Sequence, residues 1–446
     1  MESINAILST ASSWAWGPAM LALLLGTGIY LTIRLKFLPL RNLFYAFSLL
    51  FKGKNADEKG DISSFSALMT AMAATVGTGN IAGVAAALFI GGPGAIFWMW
   101  ITALVGMATK YSEAVLAVKY REVDDDKRHV GGPMYYIKNG MGEKWKPLAF
   151  AFALFGTIAA FGIGNMVQAN AVAGAMETAF EIDNRITGAI LMLLVGLVLF
   201  GGVKRIAKTA SALVPVMALL YIGFSLYILV MHADAIPAAL STIVASAFTG
   251  HAAAGGFAGA SIILAIQFGV ARGVFSNEAG LGTAPIAHAA AKTDNPVRQG
   301  HIAMLGTFID TIIICTMTAL VIMVTGVWTS GETGSPLTAL AFSTGLDSDL
   351  GAVFVAIGLA VFAFTTLIGW SYYGERCAEY IAGTQVITGY RVAWVIAIFA
   401  GAALSDYFNT VLILADVLNA LMAIPNLIAL LVLAPVIVKL TQEYQK

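Results

Sequence analysis

"AATVGTGNIAGVAAALFIGG", Ala73 to Gly92, reads as the second half of a membrane-spanning helix with a fault at its centre. Gly77-Thr78-Gly79-Asn80 is a poor helix former placed where a bilayer midplane would fall. Each glycine costs about 1 kcal/mol relative to alanine in a helix interior. A buried Asn without a partner costs roughly 1–3 kcal/mol more. A chain keeps such a break only where the irregular backbone lines a cavity or is buried in protein.

The rest of the composition supports a bilayer setting. Of 446 residues, 59% are hydrophobic and 11% charged, and mean hydropathy is +0.83. Soluble chains carry about 25% charged residues. Many apolar runs reach the roughly 20 residues that cross a hydrocarbon core. The chain reads as an all-α polytopic membrane protein with the lipid bilayer as its solvent. Its zero net charge gives no sign of a nucleic-acid partner. Cys315 and Cys377 lie in apolar runs without metal-ligand spacing and read as packing residues. The N-terminus has no basic region ahead of an apolar one and does not read as a cleaved signal peptide.

About eleven spans are expected, near 14–33, 63–90, 93–118, 147–180, 185–201, 209–231, 258–290, 298–328, 350–383, 390–405 and 408–437. The basic residues then fall on one side. They crowd the polar segments 34–62 and 119–146 and follow the fifth, seventh, ninth and last spans. Arg185 alone stands clearly opposite. The positive-inside rule places the N-terminus outside and the C-terminus in the cytoplasm.

The fault recurs. "QFGVARGVFSNEAGLGTAPIAHAA", Gln267 to Ala290, sets Arg272, Ser276, Asn277, Glu278, Gly280 and Gly282 between two apolar halves, each too short to cross alone. The breaks sit in spans two and seven, so spans 2–6 and 7–11 form two units of five. An odd number of crossings turns the second upside down. The expected organisation is one transmembrane domain: residues 1–62 as an extra N-terminal helix and cytoplasmic loop, 63–231 as the first repeat, 232–257 as an extracellular connection, 258–437 as the inverted repeat and 438–446 as a tail. Paired interrupted segments of this kind point to the substrate site of a secondary transporter. The half-helix beginning near Asn80 aims N–H groups and a positive dipole end at the gap, which suits a carboxylate. The half ending near Val76 leaves carbonyls that suit a hard cation. A zwitterionic amino acid travelling with Na+ uses both.

Individual residues carry alternatives. Asn80 reads as a helix cap, a site residue, or both, since its side-chain oxygen has two lone pairs. Asn165 and Gln168 are three apart and share a helical face, and Gln168 reads as a substrate contact or as interhelical glue. Asp310, deep in "GTFIDTIIICTM", requires a partner, which is Arg272 or another polar residue in a structural pair, or else a cation. Asp416 and Asn419 pose the same choice. Glu278 with Arg272, and Glu375 with Arg376, read as local ion pairs. Phe97, Trp98 and Trp100 read as packing or belt residues, whereas Phe275 and Trp370 read as pocket walls.

Four segments also resemble one family. "GGPGAIFWMWITALVG" (91–106), "GTGNIAGVA" (77–85), "GNMVQAN" (164–170) and "FSNEAGLGTAPIAHAAA" (275–291) are similar to the alanine or glycine:cation symporters, the bacterial sodium:alanine symporter family. The similarity runs over nearly the whole chain. It implies a LeuT-type fold, an inverted five-helix repeat plus an extra N-terminal helix, in the plasma (inner) membrane. It also implies Na+-coupled uptake of small amino acids, alanine or glycine, with Na+ as co-transported ion. No organic cofactor and no enzyme chemistry are expected. The substrate set is then Gly77, Thr78, Gly79, Asn80, Gln168, Phe275, Ser276 and Trp370. The Na+ set is Ala73, Val76, Phe362, Thr365, Thr366, Asn80 and Asp310, in which the hydroxyls of "AVFAFTTLIGW" (360–370) complete an oxygen shell. The bland reading of those threonines is a bond back to their own helix.

No GxxxxGK[ST] loop occurs, so ATP drive has no support in the sequence. The alternatives are an H+-coupled symporter using Asp310 or Glu278, and a channel with a continuous polar lining. The five histidines are scattered without a ligand cluster, which weakens an embedded-enzyme reading.

Overall fold

The computed structural model describes residues 2–51, 58–249, 262–404 and 408–446. Lys52, Lys54, His251, the 250–257 end of the expected connection and the 258–261 start of the seventh span lie outside the described residues.

Helix α1 (Thr10–Arg34) leads into a short apolar helix α2 (Leu43–Phe51). The first interrupted span follows as α3 (Ser64–Thr75) and α4 (Gly79–Gly91), bent by 54° at the break. Ser63 starts α3 by accepting the Ser66 amide at 3.0 Å. Val76, with φ −78° and ψ 96°, ends it in extended backbone. Gly92 at φ 68° and Pro93 then turn the chain into α5 (Gly94–Lys119). A two-stranded hairpin, β1 (Glu122–Val123) and β2 (His129–Val130), leads to α6 (Glu143–Phe180), α7 (Asn184–Leu199) and α8 (Gly202–Met231).

The second half opens with α9 (Ala233–Thr249) and α10 (Ile262–Asn277). Glu278, Gly280 and Gly282 all take positive φ, at 57°, 92° and 82°, and the chain resumes as the six-residue α11 (Ala284–Ala289). Then come α12 (Pro296–Val324), α13 (Gly334–Leu346), α14 (Leu350–Ala382), α15 (Thr384–Ala403) and α16 (Phe408–Gln445). Helix α5 is the hub, packed on α10 and α12. Outward-facing apolar residues such as Leu193, Leu219 and Ile396, each more than 60% exposed, give the perimeter a lipid-facing surface.

Among the described residues, eight helices are long and apolar enough to cross a membrane, and the bent pair α3/α4 makes nine. The expected eleven needs two more. One is α7, whose 16 residues rise only about 24 Å. The other is α10 with α11, where the break alone fills 278–283.

Four expectations need correction. Helix α8 begins at Gly202 and not near 209, so Lys204, Arg205 and Lys208 ride on its first turns. The 34–62 segment is not simply polar, because α2 (LFYAFSLLF) lies in it. Helices α9 and α13 fill stretches expected as plain connections. Asn165 and Gln168 do not share a face. A five-residue π-turn at Gly162–Met166 adds a residue to that turn and rotates the remainder of the helix.

Candidate functional site

The two breaks meet. A Cβ built on Gly79 lies 3.2 Å from Ser276 Cα and 3.3 Å from Phe275 Cδ1, so the bare backbone of α4 rests against the end of α10. Gly77 faces the Thr366 hydroxyl of α14 and the Gln168 amide of α6. Glycine at both positions follows from this closeness.

Asn80 organises the junction. Its Oδ1 accepts the Gly77 amide at 2.9 Å, and its Nδ2 donates to Asp310 Oδ1 at 2.7 Å. The other carboxylate oxygen of Asp310 accepts the Ser276 and Thr311 hydroxyls, each at 2.7 Å. Cys315 Sγ lies 3.3 Å from both Asn80 Nδ2 and Ser276 Oγ. All five side chains are buried. Asp310 therefore has no pairing with Arg272. Its partners are neutral, and they bring hard oxygen atoms from α10 and α12 around one carboxylate, the donor type that cations such as Na+ favour.

Local helix geometry explains how these groups reach one another. Asn80 lies in a π-turn (Gly79–Gly83), Asp310 in another (Phe308–Cys315), and Gln168 follows the third. Wide turns free backbone carbonyls and re-aim side chains, and they gather at functional sites. Here hydroxyls satisfy the freed carbonyls: Thr318 donates to Asn80 O at 2.7 Å and Thr338 to Ile81 O at 3.0 Å.

Gln168 reaches the break as expected, with Nε2 3.1 Å from Thr78 Oγ1 and Oε1 accepting the Thr78 amide over a long 3.4 Å. Asn165 turns to α15 and donates to Trp394 O at 2.9 Å. Thr366 donates to Phe362 O at 3.1 Å and reaches Val76 O at 3.4 Å. Thr365 is held by Phe362 O at 2.8 Å and faces Met217. Ala73 is buried one turn before Val76. The expected cation set thus divides in two: Val76, Phe362, Thr365 and Thr366 on one flank of the break, Asn80 with Asp310 on the other. Trp370 packs over Gly164, with its side chain close to Glu278. It stands near the second break, whereas Phe275 walls the first.

Two residues passed over in the sequence belong to this region. Glu113 Oε1 on α5 accepts the amides of Gly280 and Gly282 at 3.1 and 3.2 Å, and Asn426 Nδ2 at 2.7 Å. Lys110, one turn earlier, is buried with its Nζ unpartnered, within electrostatic reach of Glu278, Glu113 and Asp310. The signal was present, since "GMATKYSEAV" (106–115) carries two charges three apart in an apolar span. The expected Glu278–Arg272 pair is absent. Positive φ at Glu278 reverses the chain, so Glu278 bonds Thr283 at 2.6 Å while Arg272 lies over Phe275 on the other side. The Glu375–Arg376 pair forms at 2.6 Å and extends to Arg391, Glu379 and Asp124.

Comparison with known proteins agrees with this architecture. The sequence pattern of the sodium:alanine symporter family matches residues 1–446. The sodium/alanine symporter AgcS of Methanococcus maripaludis is 52% identical over 99% of this chain and 97% of its own. A probable sodium/glutamine symporter, GlnT of Bacillus subtilis, is 40% identical over 100% of this chain and 91% of its own. Among solved structures, MhsT in complex with L-phenylalanine superposes with a TM-score of 0.57 at 14% identity, covering 86% of this chain and 98% of that one. The fold is accordingly of the LeuT type, in a multi-pass membrane protein. With two interrupted spans meeting at Asn80 and Ser276 and a family pattern that runs its full length, the chain belongs to the sodium:alanine symporter family.

Proposed function

We propose that the protein imports a small neutral amino acid, alanine or glycine, together with Na+ by alternating access. The observation that carries this reading is the junction of Gly77–Asn80 with Ser276 and Asp310. It offers backbone amides for a carboxylate and a carboxylate ringed by oxygen atoms for cations. In this reading Gly77, Thr78, Gly79, Asn80, Gln168, Phe275, Ser276 and Trp370 hold the amino acid. Ala73, Val76, Phe362, Thr365 and Thr366 hold one Na+, and Asn80 with Asp310 contributes a second cation contact. The close contact of Gly79 with Phe275 argues against a bulky side chain, which favours alanine over glutamine. The basic end of the molecule faces the cytoplasm, and the N-terminus lies outside.

Buried Lys110, Glu278 and Asp310 support a second reading, in which a proton replaces Na+ as the driving ion. Uptake into proteoliposomes separates the two. Na+-coupled import predicts alanine accumulation that requires an inward Na+ gradient at constant pH. It also predicts at least tenfold weaker competition by leucine or glutamine than by glycine. Accumulation that follows a pH gradient and ignores Na+ establishes proton coupling instead.

A further inference from the structure

On the lipid-facing perimeter, in the half of the molecule away from the basic loops, a cavity of about 420 Å³ opens between α6, α7, α8 and α14. Ile190, Leu194 and Ile357, each about half exposed, form its mouth, and Val172 and Leu191 are buried behind them. Every lining residue but one is apolar, and the exception is Thr187. Thr187 is 5% exposed, and its hydroxyl has no partner among the described residues. Threonines inside helices usually donate to the carbonyl four residues back, as Thr157 and Thr178 do at 2.7 and 2.8 Å. Here that carbonyl, Asp183 O, already accepts the Ile186 and Thr187 amides at 3.0 and 3.1 Å. A buried donor in this position calls for an acceptor from outside the chain. Thr187 lies one turn into α7, a helix short enough that its ends fall near the edges of the hydrocarbon core. Lipid ester groups sit at that boundary.

We propose that this cavity is a lipid site that holds one acyl chain of a phospholipid, whose ester carbonyl accepts the Thr187 hydroxyl. The carbonyl supplies the missing acceptor at the membrane boundary. The chain fills the apolar space below it, which runs about 10 Å along α7 from Thr187 to Leu194. One polar anchor above a wholly apolar cleft suits an acyl ester and suits a charged or zwitterionic solute poorly. The inner wall is α14, through Ala360, Val361 and Phe364. Phe364 directly precedes Thr365, so the bound chain backs the turn whose Phe362 carbonyl takes the hydroxyls of Thr365 and Thr366. The site needs only the multi-pass membrane setting and is independent of the substrate proposed above.

Photolabelling of the full-length protein in phosphatidylcholine vesicles tests it, with a small share of the lipid carrying a diazirine midway along one acyl chain. Adducts are mapped at Val361 and Phe364 in the cavity, and at Leu193 and Leu219, which face bulk lipid. An ether-linked probe has the same chain but no carbonyl. In the wild type it should label the cavity residues about fivefold less than the ester probe, the worth of one net hydrogen bond. Both probes should label Leu193 and Leu219 equally. Thr187→Val should bring the two probes to parity in the cavity by lowering the ester probe alone. Leu191→Trp, which fills the cavity, should remove the adducts at Val361 and Phe364. Its Leu193 and Leu219 should stay labelled, which also shows that the variant is folded in the membrane. Equal cavity labelling by ester and ether probes in the wild type, or cavity adducts that survive Leu191→Trp, overturn the site. A second copy of the chain seated on this face excludes the lipid, leaves Val361 and Phe364 unlabelled in the wild type, and overturns it too.

Discussion

Asn80 holds two obligations at once, and removing it exposes both. Asn80→Ala orphans the Gly77 amide and takes one donor from Asp310. Each unmet buried group costs about 1–3 kcal/mol, which a large helical protein survives. We expect the variant to reach the membrane and lose most Na+-dependent alanine uptake; normal uptake with an unchanged Na+ requirement removes Asn80 from the site. The neighbouring threonines divide their duties. Both hydroxyls donate back to Phe362 O, and Thr366 alone also reaches across to Val76. Thr366→Ala should raise the Na+ concentration for half-maximal uptake severalfold, Thr365→Ala by less, and Thr→Ser at either position should be tolerated. A Na+ titration of uptake reads all four, and alanine variants that keep the wild-type curve refute the assignment. At this scale the sequence was legible where a residue broke a local rule. Asn80 and Asp310 are polar where only apolar residues are cheap. Arg272 was mispaired with Glu278 because closeness in sequence stood in for direction, and a single residue at φ 57° reverses direction. Lys110 and Glu113 break the same rule as Asp310, inside the span expected near 93–118 and beyond the 91–106 stretch that carries the family resemblance.

Among the elements, the second break depends on a carboxylate from a different helix. Glu113 Oε1 collects three donors, two of them amides in the loop between α10 and α11. Glu113→Gln keeps an oxygen there, while Glu113→Ala leaves three buried donors unmet. Detergent-solubilised Glu113→Ala should therefore melt several degrees below Glu113→Gln; equal melting temperatures show that Glu113 does not hold the loop. The positions of both breaks could be read from glycine clusters, and most helices from apolar runs. What could not be read was angular register. A π-turn changes the face of every later residue without any mark in the hydrophobic pattern, which is why Asn165 turned away from Gln168. Connections were misjudged for a related reason. The apolar stretches α2, α9 and α13 are too short to cross and were passed over, although each has a surface on which to pack.

Taken as a whole, the molecule is clasped at one end. The basic end is closed by Arg376, which contacts Glu375 at 2.6 Å, Glu379 at 2.5 Å and Asp124 at 3.5 Å, and by Arg391, which holds Glu375 at 2.6 Å. Burial pushes the Asp124 carboxyl up, but the Arg128 amide and guanidinium, at 2.7 and 2.8 Å, outweigh it and hold it below the usual aspartate range. A depressed carboxylate stabilises above its unfolded-state value, and that contribution disappears as pH falls through the folded one. The Asp124 share of the clasp should accordingly be present at neutral pH and be lost on acidification below the usual aspartate range. Cys377, buried beside Arg376, is a built-in reporter. In a Cys315→Ser background, Arg376→Met should speed labelling of Cys377 by an impermeant maleimide at least tenfold at pH 7. An unchanged rate means the clasp does not govern access.

Beneath that clasp, the segment leading into α3 and the segment leaving α11 are stitched together. Ile62 and Ala291 form a parallel bridge, with Asp61 N on Ala290 O at 2.9 Å and Lys292 N on Ile62 O at 2.7 Å. Arg121 ties the seam by donating to the carbonyls of Lys59, Ala289, Ala291 and Thr293. The two broken helices thus share one anchor, like two blades on one rivet. For a carrier, this bears on slippage. If one blade swung alone, the ion could cross without cargo, or cargo without the ion, and the gradient would leak away through half-loaded cycles. In the carrier proposed above, a common rivet would make each stroke a joint one, so that the ratio of ions to amino acids would be held by mechanical linkage as well as by binding affinity.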